Sequence, residues 1–170
     1  LLEQVKEREF AGYAYDGAEA SFELMARRLL DSVPEYFKLQ SFRVLDERRW
    51  NARAELVTLS EATIKVEVGG QRVMTVAEGN GPVNALDTAL RQALIPVYPE
   101  LAEVRLTDYK VRILTPQDGT KAVTRVMIES SDGTGETWST VGVSSNVIDA
   151  SYIALNDSLT YKLWRSGRRG

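Results

Sequence analysis

The stretch Gly79-Asn80-Gly81-Pro82-Val83-Asn84 combines the residue types that capture of a small anion requires. A strand-like run, Arg72 to Ala77, ends there, and a helix-like run, Val83 to Leu94, begins. Gly81 suits the N-cap and Pro82 the first turn, where a missing N–H costs nothing and φ is already right. The helix therefore opens with free N–H groups and the positive end of its dipole, beside glycines that admit a ligand close to the backbone. A second helix, from Val147, opens the same way behind Asn146, with Asp149 at its third position. An amino acid suits such a place. Its carboxylate takes backbone N–H groups, its ammonium takes a carbonyl or carboxylate oxygen, and its side chain needs an apolar pocket. An ordinary strand-to-helix turn is the plainer reading of the same loop.

Other chemistry is excluded by composition. The chain has no histidine and no cysteine, which removes Ser–His relays, thiolate nucleophiles and the commonest transition-metal ligands. Carboxylates are numerous, yet none forms a spaced motif; Glu129 and Asp132 simply flank a turn. The Gly79-x-Gly81-Pro82 loop lacks the Gly-Lys-Ser/Thr of a phosphate loop and the third glycine of a dinucleotide fingerprint. A net charge of −3 is too mild for a nucleic-acid or membrane partner, and Tyr109 is a lone candidate for stacking on RNA. No run approaches the ~18 apolar residues of a membrane span and no signal peptide is visible, so a cytoplasmic protein is expected. The sequence thus offers no catalytic residues, no metal ligands and no cofactor site. Leu1-Leu2-Glu3, without an initiator Met and already in helical pattern, suggests a piece cut from a longer protein.

The elements that must position the loop are built twice. Aligning Thr75–Leu94 with Thr140–Leu159, an offset of 65, gives identities at Thr75/Thr140, Val76/Val141, Ala85/Ala150, Ala89/Ala154, Leu90/Leu155 and Leu94/Leu159. Chance would give about one, and self-similarity at a fixed spacing is a fold-level signal. Val83/Ile148, Asn84/Asp149 and Ala93/Ser158 keep their chemistry. Each helix carries a small-residue stripe, Ala85-Ala89-Ala93 or Ala150-Ala154-Ser158, that lets it lie close to a sheet.

Hydrophobic content of 44% over 170 residues suffices for one buried core. Residues 1–34 read as a helical arm, poorly able to fold alone. Its first helix ends near Tyr13, and Asp16 with Glu19 resembles a capping box for a second. Phe22, Met25 and Leu29 or Leu30 recur there at helical spacing, and Arg27-Arg28 reads as a solvated face. From Tyr36 the period becomes two. Strands are expected at Leu39–Asp46, Ala62–Val68 and Gln71–Ala77, with Gly69-Gly70 turning a hairpin, before the helix from Val83. The order repeats with Tyr109–Leu114, Lys121–Glu129, Thr137–Val143 and a helix from Val147 to about Trp164. The expected fold is α+β: the arm, then a domain at 35–165 made of two β-β-β-α units (about 36–99 and 104–165). Residues 166–170 read as a disordered or tag-derived tail. Alternating strands and small-residue stripes carry more apolar surface than two helices can cover, so a homodimer is expected.

Several motifs resemble the segment that follows the catalytic barrel in citramalate synthases. They are Gly12-Tyr13-x-Tyr15-Asp16-Gly17-Ala18-Glu19-Ala20-Ser21-Phe22-Glu23-Leu24, Glu78-Gly79-Asn80-Gly81-Pro82-Val83-Asn84-Ala85-Leu86-Asp87 and Asp108-Tyr109-Lys110-Val111-Arg112. Ile128-Glu129-Ser130-Ser131-Asp132-Gly133 and the run from Trp138 to Ser151 complete the set, which spans nearly the whole chain. The loop and the second-unit motif also resemble 2-isopropylmalate synthases; the Tyr-Asp-Gly-Ala-Glu-Ala-Ser-Phe stretch points to citramalate synthase. The resemblance implies a C-terminal regulatory domain that dimerises and binds an end-product amino acid, isoleucine, or leucine in the sister family. It implies a parent whose barrel, absent here, condenses acetyl-CoA with pyruvate on a histidine-held divalent metal. It places Leu106, Tyr109, Ile113, Val123, Ser145 and Val147 around the effector side chain, with Val83 and Asn84 as the corresponding first-helix positions; Gly79, Asn80 and Gly81 join the expected site through the loop's own chemistry. A purely structural dimerisation module is the alternative.

Overall fold

The computed structural model describes residues 1–30 and 32–168. They divide into two compact units: Glu35–Ala102, and Leu1–Pro34 together with the residues from Glu103 onward. Each unit has one three-stranded antiparallel sheet with a helix on one face.

In the first unit, β1 (Phe37–Trp50), β2 (Leu56–Val68) and β3 (Gln71–Gly79) form a meander, and α3 (Pro82–Leu94) packs on it; α1 (Leu2–Phe10) and α2 (Glu19–Arg28) belong to the other unit. Alternation dictates the layers: Ala62, Ile64, Val66 and Val68 are buried, while Thr63, Lys65 and Glu67 point away. Gly69 and Gly70 turn the β2–β3 hairpin at φ +59° and +74°, which β-carbons resist. The first strand runs on to Trp50, past the expected end at Asp46. The charged Glu47-Arg48-Arg49 hid its period, and ladder pairing to Leu56–Leu59 carries it.

The second unit repeats the plan with β4 (Arg105–Ile113), β5 (Thr124–Ser131), β6 (Thr137–Ser144) and α4 (Val147–Arg165). Here the sheet is covered on both faces. Trp138, Thr140 and Gly142 face α4. Val141 lies with Tyr15, Ala18 and Met25 of the arm, where α1 (Leu2–Phe10) and α2 (Glu19–Arg28) are joined by a short 3-10 turn at Tyr15–Gly17. Gly12 sits at φ +108° against Leu114, and its carbonyl accepts a 2.6 Å bond from Arg125.

Two expectations for the arm fail for the same reason, a tertiary partner. The capping box does not form. Asp16 lies inside the 3-10 turn, Ala18 is the N-cap without a side-chain bond, and Glu19 instead accepts the Ser139 N–H at 2.9 Å. Nor is the arginine pair merely a solvated face, although both side chains stay exposed. Arg28 bonds Asp157 at 3.0 Å, and Arg27 lies 5.0 Å from the Trp164 ring centroid. Phe22 is 37% exposed, and Ser21 and Leu24 are buried in its place. Of the expected tail, Arg169 and Gly170 lie outside the described residues. Gly167 adopts φ +69°, and Arg168 N–H bonds Leu163 O at the end of α4.

The repeat is kept in hydrogen bonds as well as in sequence. Thr75 Oγ1 donates to Ala89 O at 2.7 Å, and Thr140 Oγ1 donates to Ala154 O at 2.8 Å, the same bond 65 residues on. A strand hydroxyl reaches a helix carbonyl only if helix and sheet are close, and the fully buried Ala85/Ala150 and Ala89/Ala154 permit that approach. Thr140→Val should therefore cost about 1 kcal/mol in urea unfolding, and Thr75→Val a similar amount.

A buried ion pair ties the β5–β6 turn to α4. Lys162 Nζ lies 2.8 Å from Asp132 Oδ2, with side-chain exposures of 11% and 3%. The Lys162 bond, helped by Thr134, lowers the Asp132 carboxyl to about 2. With an unfolded value of about 3.9, Asp132 stabilises the fold above that pH, and the contribution disappears as pH falls through 2. Burial raises Asp87 and Asp157, whose effect has the opposite sign. Asp132→Asn should thus flatten the loss of stability between about pH 4 and pH 2 in acid unfolding curves.

Candidate functional site

The candidate residues fall in both units, and each group is described within its own unit. In the unit Glu35–Ala102, Gly81 is the N-cap of α3 with φ −167° and ψ 170°, extended backbone open to any residue. Pro82 follows at the first helical position, as expected from its fixed φ. No side chain caps this helix and no acidic residue sits in its first turn. The N–H groups of Val83 and Asn84 therefore point out of the helix end with no capping side chain or first-turn carboxylate among the described residues to neutralise them. A β-carbon at Gly81 would meet nothing within 4 Å, so the space over these donors is open. Gly79 is different. Its missing side chain makes room for Ala85 N and Asn84 Oδ1, each 2.5 Å from where a β-carbon would stand. Asn84 Oδ1 in turn accepts the Asn80 N–H at 3.2 Å, which fixes the loop.

The second junction is closed, a correction to the expectation of two free helix ends. Asn146 Oδ1 accepts from both Ile148 N (2.9 Å) and Asp149 N (3.1 Å), and Asp149 adds its own charge to the first turn. Gly81 and Asn146 are equivalent, since 146 − 81 = 65. One copy carries a cap side chain and the other does not. That difference was present in the sequence and went unused.

In the second unit the remaining residues gather on one face. Leu106 pairs with Ser130, Tyr109 with Ile128 and Ile113 with Thr124, all on the α4 side of the sheet; an irregularity between Leu106 and Asp108 keeps Leu106 and Tyr109 in phase. The Tyr109 hydroxyl shares a 2.8 Å bond with Ser151 Oγ, which donates to Val147 O, so the ring is tied to the first turn of α4. Ile113, Thr124 and Ser144 form one row across the sheet, at the end from which Ser145 and Val147 lead into the helix. Val123 adjoins that row, its carbonyl accepting from Leu114 N at 2.8 Å. Because α4 lies over β5 and β6, the edge strand β4 stays uncovered: Tyr109 is 40% exposed and Ile113 55%. Val111, between them on the same face and 46% exposed, belongs to the strip and was missed; period two along β4 would have found it. The strip can hold an aliphatic side chain, and the α3 end can hold a carboxylate.

Among the described residues no group of three or more His, Cys, Asp or Glu side chains is placed to hold a metal ion. No helix among them is long and apolar enough to cross a membrane.

A family model described as the LeuA allosteric (dimerisation) domain matches residues 16–163. The chain is 54% identical over 166 residues to an (R)-citramalate synthase of Geobacter sulfurreducens, covering 98% of this chain and 31% of that protein. It is 52% identical over 168 residues to the (R)-citramalate synthase of Streptomyces coelicolor, covering 98% and 30%. A 2-isopropylmalate synthase of Dictyoglomus turgidum is 26% identical over 161 residues, covering 95% and 29%. The chain thus spans about a third of the length of the curated relatives it matches.

Proposed function

From the premise that this chain belongs to the LeuA allosteric (dimerisation) domain family, we propose that it is the regulatory domain of a citramalate synthase, binding isoleucine as feedback effector and dimerising. The observation that carries the reading is the difference between the two helix starts. A duplicated unit needs the same cap twice, and Asn146 supplies it in one copy. At Gly81 the donors are left open, which weakens α3 by roughly a few tenths of a kcal/mol relative to a side-chain cap and suits a ligand carboxylate. In the other unit, the partly exposed strip of Tyr109, Val111, Ile113 and Val147 is apolar enough to take an aliphatic side chain. Catalysis belongs to the part of the longer protein outside this chain, where an acetyl-CoA and divalent-metal site is expected.

Isoleucine should raise the melting temperature of the chain in a thermal-shift panel of amino acids. A ligand that binds only the folded state adds RT ln(1 + [L]/Kd), about 2.7 kcal/mol at a hundredfold excess over Kd. A larger shift with leucine would assign the leucine-sensing role of the sister enzymes. No shift with either, for a chain that sediments as a dimer, would leave a structural dimerisation module. A monomer at micromolar concentration would contradict the homodimer.

A further inference from the structure

The Gly-Tyr-x-Tyr-Asp-Gly-Ala-Glu-Ala-Ser motif has no part in the effector site, yet it lines a cavity of about 320 Å³ between the arm and α4. One wall is aromatic and apolar: Tyr13 and Tyr15 are stacked with centroids 5.8 Å apart, and Met25 and Ile153 lie beside them. The charged groups are separated by type. Arg8, exposed on α1, stands at the cavity with its guanidinium 5.2 Å from the Tyr13 centroid. Asp157 is buried, with Oδ2 accepting from Ser21 Oγ at 2.8 Å and Oδ1 from Arg28 at 3.0 Å. A carboxylate accepts about four hydrogen bonds, so these two partners leave capacity for a further donor. Burial raises the Asp157 carboxyl even though Arg28 and, more weakly, Arg8 lower it; the charged form is under-solvated.

We propose that this cavity is a small-molecule site distinct from the α3 junction, and that it takes a small apolar α-amino acid. The ligand carboxylate bonds Arg8, the ammonium bonds Asp157, and the side chain lies against Tyr15, Met25 and Ile153. A simple anion fits poorly, because Asp157 repels it. A simple amine leaves the Arg8 guanidinium with only its Tyr13 and Tyr15 contacts and no carboxylate partner. Only a molecule carrying both charges on neighbouring atoms satisfies both groups.

The test is amide chemical-shift titration of the 170-residue chain with L-valine and with its hydroxy analogue, (S)-2-hydroxyisovalerate. It is done in the Gly81→Asp background so that the α3 junction is blocked. Valine should saturate shifts at residues 13–15 and 152–157, and the hydroxy acid should bind at least about tenfold more weakly, one charged hydrogen bond being lost. Arg8→Gln, at an exposed position, should weaken valine about tenfold while the far amide shifts keep the folded pattern, and Asp157→Asn should erase the preference for the amine. Absence of saturable shifts at these residues, equal binding of the two analogues, or unchanged valine affinity in Arg8→Gln would each overturn the proposal.

Discussion

Gly142→Ala should destabilise the chain by about 3 kcal/mol or more, the largest effect expected of any single added methyl group. Gly142 is buried on β6, facing α4. A β-carbon there would overlap the Ala150 carbonyl oxygen and stand 2.9 Å from its carbon and 3.0 Å from Ala154 N. These are backbone atoms of a helix already tied to the same strand by the Thr140–Ala154 bond, so no flexible side chain can yield. The only relief is to lift α4 off the sheet, which strains that bond and opens space around Leu155 and Leu159, both fully buried. The equivalent residue in the first unit is Ala77, buried at 6%, so α3 accommodates a methyl group where α4 excludes one. Urea unfolding should show a much lower midpoint for Gly142→Ala. An unfolding free energy within about 0.5 kcal/mol of the parent would mean the helix is not held where the structure has it.

Gly81→Asp should leave the fold nearly unchanged and abolish effector binding. The N-cap backbone is extended, with nothing within 4 Å of a new β-carbon, so the substitution meets neither strain nor a clash. Aspartate is also a good N-cap, and its charge favours the positive helix end, so melting should be unchanged or slightly higher. The same carboxylate occupies the donors that the ligand needs. Two like charges about 4 Å apart at a protein surface repel by about 4 kcal/mol, on the order of a thousandfold in Kd. Gly81→Asn copies Asn146 and competes without charge, so its loss should be smaller, about tenfold. In the longer protein proposed here, Gly81→Asp should give normal turnover that the amino acid no longer inhibits. A variant that melts like the parent and binds with unchanged affinity would place the ligand elsewhere.

The parts of this molecule legible in the sequence are those decided locally. Gly81-Pro82 and Asn146 mark helix starts because capping and the fixed proline φ act within one turn. Thr75/Thr140 and Ala89/Ala154 revealed the duplication because a shared helix-to-sheet distance demands the same small residues and the same hydroxyl. What could not be read depends on partners far away along the chain. Glu19 was free to cap its own helix until Ser139 N–H competed for it, and Arg28 looked solvated because Asp157 lies 129 residues on. The candidate effector residues of the second unit stand between these cases. Strand periodicity puts Tyr109, Val111 and Ile113 on one face, but only the position of α4 over β5 and β6 shows that the β4 edge of this face is left uncovered.

Calorimetric titration of the parent chain with L-isoleucine tests the regulatory reading most directly. Saturable heat, accompanied by a rise in melting temperature and lost together with it in Gly81→Asp, is the expected result. No heat with isoleucine or leucine from a chain that is folded and dimeric would contradict it.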